Sequence, residues 1–415
     1  MIRANLNTLL SLTAPLFPTL QSYAPPLRSQ LTLYGCILNS LDRAQLEAQG
    51  VRQAFASILQ LCLDPRPKVR KKAADVVKDV IVAPPPPLAR HPYADRVADW
   101  VKTCLAEVNP SVFSSKTLGK TVGSPTTDTA IHILAFLRPV LLNLPLAVSN
   151  FCPSTYVLHS VTLAPFKSLP SIINLLLTLP RLENPYLSQS VYSILSDLFS
   201  APVEDEASHI TSEIPAVLKA VLFSPPSKTD ASLCPAWVLV LGNAMLAYSV
   251  ANANACAAEL GKAWKTVWSF LESNHAATRK AAAQSLDLLS RCFTSALIQT
   301  ALHETQGKME PKSVLGSIIS QTTKALDSLA FARSIPELLS VISSLIKNLR
   351  YREDDRNLFA ESLLFPLIQR VGDLRTEKRF EHKEAADVTL ATAMRILGPE
   401  VLLKVLPLNL EPADR

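Results

Sequence analysis

Apolar residues recur at spacings of three and four along almost the whole 415-residue chain. That is the mark of helices that bury one face. Leu27, Leu31, Tyr34, Leu38 and Leu41 form one stripe, and Phe55, Ile58, Leu59 and Leu63 form the next. Val69, Ala73, Val76, Val77 and Val80 follow after a two-proline break. Later stripes run through Ile133–Leu144, Leu187–Leu198, Ile318–Leu329, Leu338–Leu349 and Val388–Leu397. The pattern predicts roughly fifteen helices of about ten to twenty residues and no period-two strand.

The breaks are short and marked by proline, at Pro65 and Pro67, Pro202, Pro225 and Pro226, Pro311 and Pro336. Proline ends one helix and opens the next. Pro84 to Pro87 predicts a rigid spacer in polyproline II form. Asn109 to Asp128 is polar, with Gly119, Gly123 and Pro125, and reads as an exposed loop. Pro145 to Pro165 is apolar but broken by prolines.

Helices of this length joined by short turns suggest antiparallel hairpins, and one turn carries a repeat signature. In Leu63-Asp64-Pro65-Arg66-Pro67-Lys68-Val69-Arg70-Lys71-Lys72-Ala73-Ala74, Asp and Pro end one helix. Val69 and Ala73 then face inward on the second. This is the form of a HEAT turn. A second copy runs from Leu271 to Ala282, and degenerate copies are expected at Asn184–Leu187 and around His382–Asp387. One hairpin cannot close a core, so neighbours must stack. The expected fold is all-α, a HEAT/armadillo-like α-solenoid of stacked hairpins. We divide it into N-terminal hairpins over 1–108, a loop-rich insertion with one helix over 109–165, and continuing repeats over 166–415.

Composition supports this reading. The chain is 48% hydrophobic and 18% charged, with only 10 glycines against 31 prolines. That excludes general disorder and disfavours a turn-rich β fold. Seven scattered cysteines show no metal or redox spacing and read as reduced thiols. Ala4–Leu27 is uncharged, but Asn5, Asn7, Pro15 and Pro18 interrupt it, and it shows no convincing cleavage site. Ala231–Ala258 is uncharged and long enough to span a bilayer, yet Asn243, Asn252 and Asn254 recur in it. A helix buried within the stack accounts for it, and no membrane association is expected.

The search for chemistry is mostly negative. Gly119-Lys120-Thr121 ends like a phosphate-binding loop, but Ser114 stands where that loop needs glycine. No histidine pair has zincin spacing, and the acidic run Glu204-Asp205-Glu206 reads as a solvated turn. No catalytic residue, cofactor, metal or small-molecule substrate is expected. The chain reads as a scaffold rather than an enzyme.

The strongest local feature is basic. Arg66, Lys68, Arg70, Lys71 and Lys72 fall within seven residues at the start of a helix. Cations are unfavourable there, because the helix dipole prefers an anion. A phosphate or a neighbouring carboxylate offsets that cost. Arg66, Lys68, Lys71 and Lys72 are therefore candidates for contact with RNA or another acidic partner. Arg70 is expected to pack on the preceding repeat. Arg375, Lys378 and Arg379, with Arg370 and Lys383 nearby, form a second candidate patch. Arg350, Arg352 and Arg356 are mixed with acids and read as a charged turn.

Cys62–Ala73 resembles more than a generic repeat. Together with His91-Pro92, Ala94–Trp100, Pro235-Ala236-Trp237 and the helix from Thr278 to Leu289, it is similar to the ribosomal RNA-processing protein 12 family. The likeness is greatest to fungal members. The resemblance implies a nuclear and nucleolar HEAT-repeat protein bound to pre-ribosomal particles, ribosomal RNA and assembly proteins. It also implies support of rRNA processing and nuclear export of subunits. The family is likened to karyopherins, so Ran GTPase and nucleoporins are further implied partners. The alternative function is a karyopherin-like transport receptor. Family members are longer, so a fragment is expected.

Overall fold

In the computed structural model, the residues described are 5–108, 127–144, 172–182, 184–200, 207–223, 225–307, 311–349 and 361–407. Among them every regular element is a helix. The chain divides into two compact units, Met1–Ile194 and Leu195–Arg415.

The first unit contains α1 (Leu6–Thr13), α2 (Leu16–Leu20), α3 (Ala24–Ser40), α4 (Arg43–Leu46), α5 (Gln49–Gln60), α6 (Pro67–Val82), α7 (Ala94–Val108), α8 (Thr127–Leu137), α9 (Ile172–Thr178) and most of α10 (Pro185–Ser200). The second contains α11 (Ala207–Phe223), α12 (Leu233–Ala251), α13 (Ala253–Trp268), α14 (Ala276–Ser290), α15 (Ser295–Gln306), α16 (Val314–Ala325), α17 (Ile335–Asn348), α18 (Glu361–Thr376), α19 (Lys383–Leu397) and α20 (Pro399–Val405).

The repeat is visible as a helix, one 3-10 turn, a short link and a second helix. It occurs as α5, Leu61–Leu63, α6 and again as α13, Ser269–Glu272, α14. The degenerate copy at Asn184 follows the same plan, with the turn Leu179–Leu182 between α9 and α10. Asn184 caps α10 there, its Oδ1 accepting from the amides of Tyr186 and Leu187. The copy near His382 opens α19.

In the first unit α6 lies against α3 and α5. Val69, Ala73, Val77 and Val80 of α6 are fully buried, as are Leu27 and Leu31 of α3. In the second unit α12, α14, α17 and α19 pack in sequence as one layer, while α16 and α18 pair in the other. The hairpins α13–α14 and α18–α19 join the layers. Neighbouring hairpins thus supply each other's missing core, as a HEAT stack requires.

The uncharged stretch from Ala231 is two helices rather than one. Asn252 ends α12 and caps α13, its Oδ1 accepting from the Ala255 amide at 3.0 Å. Both Leu233–Ala251 and Leu329–Asn348 are long and apolar enough to cross a membrane. Their faces are nonetheless occupied by neighbouring helices. Trp237 Nε1 donates to the Val221 carbonyl at 3.1 Å, and Asn243 Nδ2 to Ser196 Oγ at 2.8 Å. Such cross-helix bonds satisfy polar groups in a packed core.

The four-proline run also departs from expectation. It turns instead of running straight, because the Leu88 amide donates back to the Pro85 carbonyl at 3.0 Å. Cys62, Cys104, Cys234, Cys256 and Cys292 are buried free thiols, and Cys36 is an exposed one. Most of 109–165 lies outside the described residues, and the helix expected within it is α8. Gly119-Lys120-Thr121, Glu204–Glu206, Arg350, Arg352, Arg356 and Cys152 also lie outside them.

Candidate nucleic-acid interface

The basic turn is built from its own sequence. Asp64 leaves the 3-10 turn with its side chain folded over the link. Its Oδ1 accepts from the Arg66 amide at 2.9 Å and from Arg66 Nε at 2.8 Å, while Oδ2 accepts from Arg66 Nη2 at 2.7 Å. Arg66 Nη1 donates to the Gln21 carbonyl at 2.6 Å. Arg66 therefore ties the turn to the preceding helical segment. Its guanidinium holds the buried Asp64 carboxyl below the usual carboxylate range.

Arg70 closes the same turn. Its Nη1 donates to the carbonyls of Asp64 and Pro65, at 2.8 and 3.4 Å. It serves its own repeat rather than the preceding one. Arg279 repeats the arrangement six residues after Ser273, donating to Ser273 and Asn274 at 3.0 and 3.2 Å. Helix ends leave carbonyls without intrahelical partners, and one fork-shaped guanidinium can take two of them. Arg279 also reaches Glu337 of the next hairpin at 3.7 Å, so there the device links repeats.

With Arg66 and Arg70 engaged, the lysines remain. Lys68 and Lys71 are exposed and Lys72 is half-buried. They do not stand alone. An open groove of about 600 Å³ lies between the N-terminal halves of α3 and α6. It is lined by Pro25, Arg28, Ser29, Thr32, Lys68, Lys71, Lys72 and Asp75. Four cations face one carboxylate. Both helices begin at this edge, so their dipoles add to the positive field. Pro25, Pro26 and Pro67 remove amide donors from the helices' first turns, which leaves side chains as the main donors. Arg28 Nε is buried without a hydrogen-bond partner. Arg28 is the member that sequence reasoning missed. It lies forty residues before Lys68, and only packing of α3 on α6 brings them together.

The second patch is more balanced. Arg375 Nε donates to Asp387 Oδ1 at 2.5 Å, and Arg370 bridges Asp327 and Glu377 at 2.5 and 3.4 Å. Lys378 and Arg379 are exposed. Asp373, Glu377, Glu381 and Glu384 lie close in sequence. Among the described residues no group of His, Cys, Asp and Glu is arranged to hold a metal ion.

Comparison with known proteins agrees with this architecture. A family model described as RRP12-like, N-terminal HEAT repeats, matches residues 25–161, which include the groove. A second, described as ribosomal RNA-processing protein 12, HEAT repeats, matches residues 272–415. Ribosomal RNA-processing protein 12 of Saccharomyces cerevisiae is 24% identical over 426 residues, covering 99% of this chain and 33% of that protein. The human RRP12-like protein is 24% identical over 398 residues, covering 91% of this chain and 26% of the relative. A putative ribosomal RNA-processing protein 12 of Schizosaccharomyces pombe is 26% identical over 190 residues, 46% of this chain and 15% of the relative. The chain thus spans a third or less of the length of these relatives. Two matched HEAT segments flanking the chain's middle, a repeated arginine-closed turn and an all-helical stack place it together: the chain belongs to the ribosomal RNA-processing protein 12 family.

Proposed function

We propose that the chain is a non-catalytic scaffold in ribosome biogenesis, acting in the nucleus and nucleolus. It associates with pre-ribosomal particles through ribosomal RNA and assembly proteins, and so supports rRNA processing and export of subunits. The observation that carries this is the basic groove on a HEAT turn within a chain of this family. A positively charged surface of this kind attracts the phosphate backbone. Lys68, Lys71 and Lys72 supply the contact, with Lys378 and Arg379 as a second point of attachment. Arg66 and Arg375, tied to Asp64 and Asp387, position those surfaces.

A karyopherin-like role, with Ran and nucleoporins as partners, has no separate observation in its favour. The test is sedimentation of the tagged chain from a nuclear extract, alongside a Ran binding assay. The proposal expects migration with particles containing precursor rRNA. A chain that stays at the top of the gradient and is retained by GTP-loaded Ran would overturn it in favour of the transport reading.

A further inference from the structure

The groove between α3 and α6 has a chemistry narrower than "basic surface". We infer that it holds the phosphodiester backbone of single-stranded RNA, with Tyr23 at its mouth as a stacking platform for one base. This rests on the RNA-associated reading above and names the form of RNA that the site takes.

Three observations support it. First, the lining is mainly cationic, with Asp75 as its one carboxylate, and so is suited to phosphate. Arg28, Lys68, Lys71 and Lys72 only donate, and the two hydroxyls are already committed. Ser29 donates to the Pro25 carbonyl at 3.4 Å and Thr32 to the Arg28 carbonyl at 3.0 Å. No lining residue is an Asn or Gln able to read a base. Second, Arg28 Nε is buried and lacks an acceptor. A buried donor without a partner is costly, and a small turn of the guanidinium toward a phosphate in the groove would give it an acceptor.

Third, Tyr23 is the residue before α3 and lies two positions before Pro25, so its backbone adjoins the Pro25 end of the groove. It is 66% exposed. An aromatic ring in water beside a phosphate-binding groove is the pairing used by proteins that bind single strands. Bases in a duplex are already stacked on one another, whereas an unpaired base is free to stack on a ring. The groove therefore favours the single strand.

Binding of fluorescently labelled RNA to the full chain, measured by anisotropy, tests this. The probes are a mixed-sequence single strand of about twelve nucleotides, its duplex, and a phosphoserine peptide as competitor. Lys68→Gln/Lys71→Gln/Lys72→Gln should weaken the single strand at least about tenfold and flatten a salt slope of roughly −2, the value for about three phosphates. Arg28→Gln should weaken it as well. Tyr23→Ala should weaken it about fivefold or more, while Tyr23→Phe should bind like wild type, because the ring and not the hydroxyl stacks. Circular dichroism checks that each variant folds. Unchanged affinity in the triple variant would overturn the groove assignment. Equal affinity for strand and duplex, unmoved by Tyr23→Ala, would overturn the stacking. Displacement of RNA by the phosphopeptide at lower concentration than by unlabelled RNA would assign the groove to phosphoprotein instead. Each of these failures leaves co-sedimentation with particles intact, so it is distinct from failure of the scaffold reading.

Discussion

Asp64 and Arg66, two residues apart on the link before α6, form a two-point ion pair with N···O distances of 2.8 and 2.7 Å. The same carboxylate also holds the Arg66 amide. Asp64 is therefore the keystone of the basic turn, holding one cation of the cluster while the lysines face outward. Asp64→Asn keeps the size but loses the charge. It should cost about 1–3 kcal/mol, because a charged hydrogen-bonding partner is removed from a mostly buried group. Chemical denaturation of wild type and variant measures the difference.

Ala73 is fully buried on α6, which packs against both α3 and α5. Ala73→Asp would place an unpaired carboxylate in that contact and should destabilise by about 3 kcal/mol or more. Lys71, on the exposed side of the same helix, should tolerate Lys71→Gln within about 0.5 kcal/mol. A thermal midpoint that does not move in the Ala73 variant would show that the buried face of α6 is wrongly placed.

Gly242 of α12 and Ser285 of α14 mark a close approach of two helices in the second unit. A Cβ added to Gly242 would lie 2.5 Å from Ser285 Oγ and 3.1 Å from its Cα. That hydroxyl is fixed by its bond to the Val238 carbonyl at 3.0 Å. Gly242→Ala should cost about 1–3 kcal/mol through overpacking. Removing the hydroxyl with Ser285→Ala should relieve part of it, so the double variant should be less destabilised than the sum of the singles. Strict additivity in a double-mutant cycle would contradict this contact.

His91 is buried beside Tyr93, with its Nδ1 accepting from the Tyr93 amide at 3.1 Å. Burial lowers its pKa to about 4. The folded state thus disfavours the protonated ring that the unfolded chain acquires near pH 6.5. The resulting stability is complete above about pH 6.5 and is lost as the pH falls through the lowered folded value. At pH 4 and below, the loss should reach about 3 kcal/mol. His91→Asn offers an acceptor without a titrating ring. It should flatten the stability profile between about pH 6.5 and 4.

Much of this molecule is legible in its sequence, and the exceptions share a cause. The stripe Val69, Ala73, Val77 and Val80 identifies the buried face of α6, because helical periodicity is local. The turn at Leu63–Ala74 marks the repeat for the same reason. Arg28 was not legible, since its partnership with Lys68 depends on which helices become neighbours. Arg66 reads as a free cation until Asp64 is seen to fold back on it. Arg375 reads likewise until α19 brings Asp387 to it. The break at Asn252 was passed over, since the run reads as one buried helix, although asparagines suit caps better than helix interiors.

Ultraviolet crosslinking of the tagged full chain in cells, followed by sequencing of the bound RNA, tests the central claim most directly. The claim is that this HEAT stack engages precursor ribosomal RNA through the α3–α6 groove. It predicts crosslinks enriched on unpaired segments of precursor rRNA and reduced several-fold in Lys68→Gln/Lys71→Gln/Lys72→Gln, with the variant folded and equally abundant. Crosslinks no more frequent on precursor rRNA than in an untagged control, or equally frequent in the variant, would contradict it.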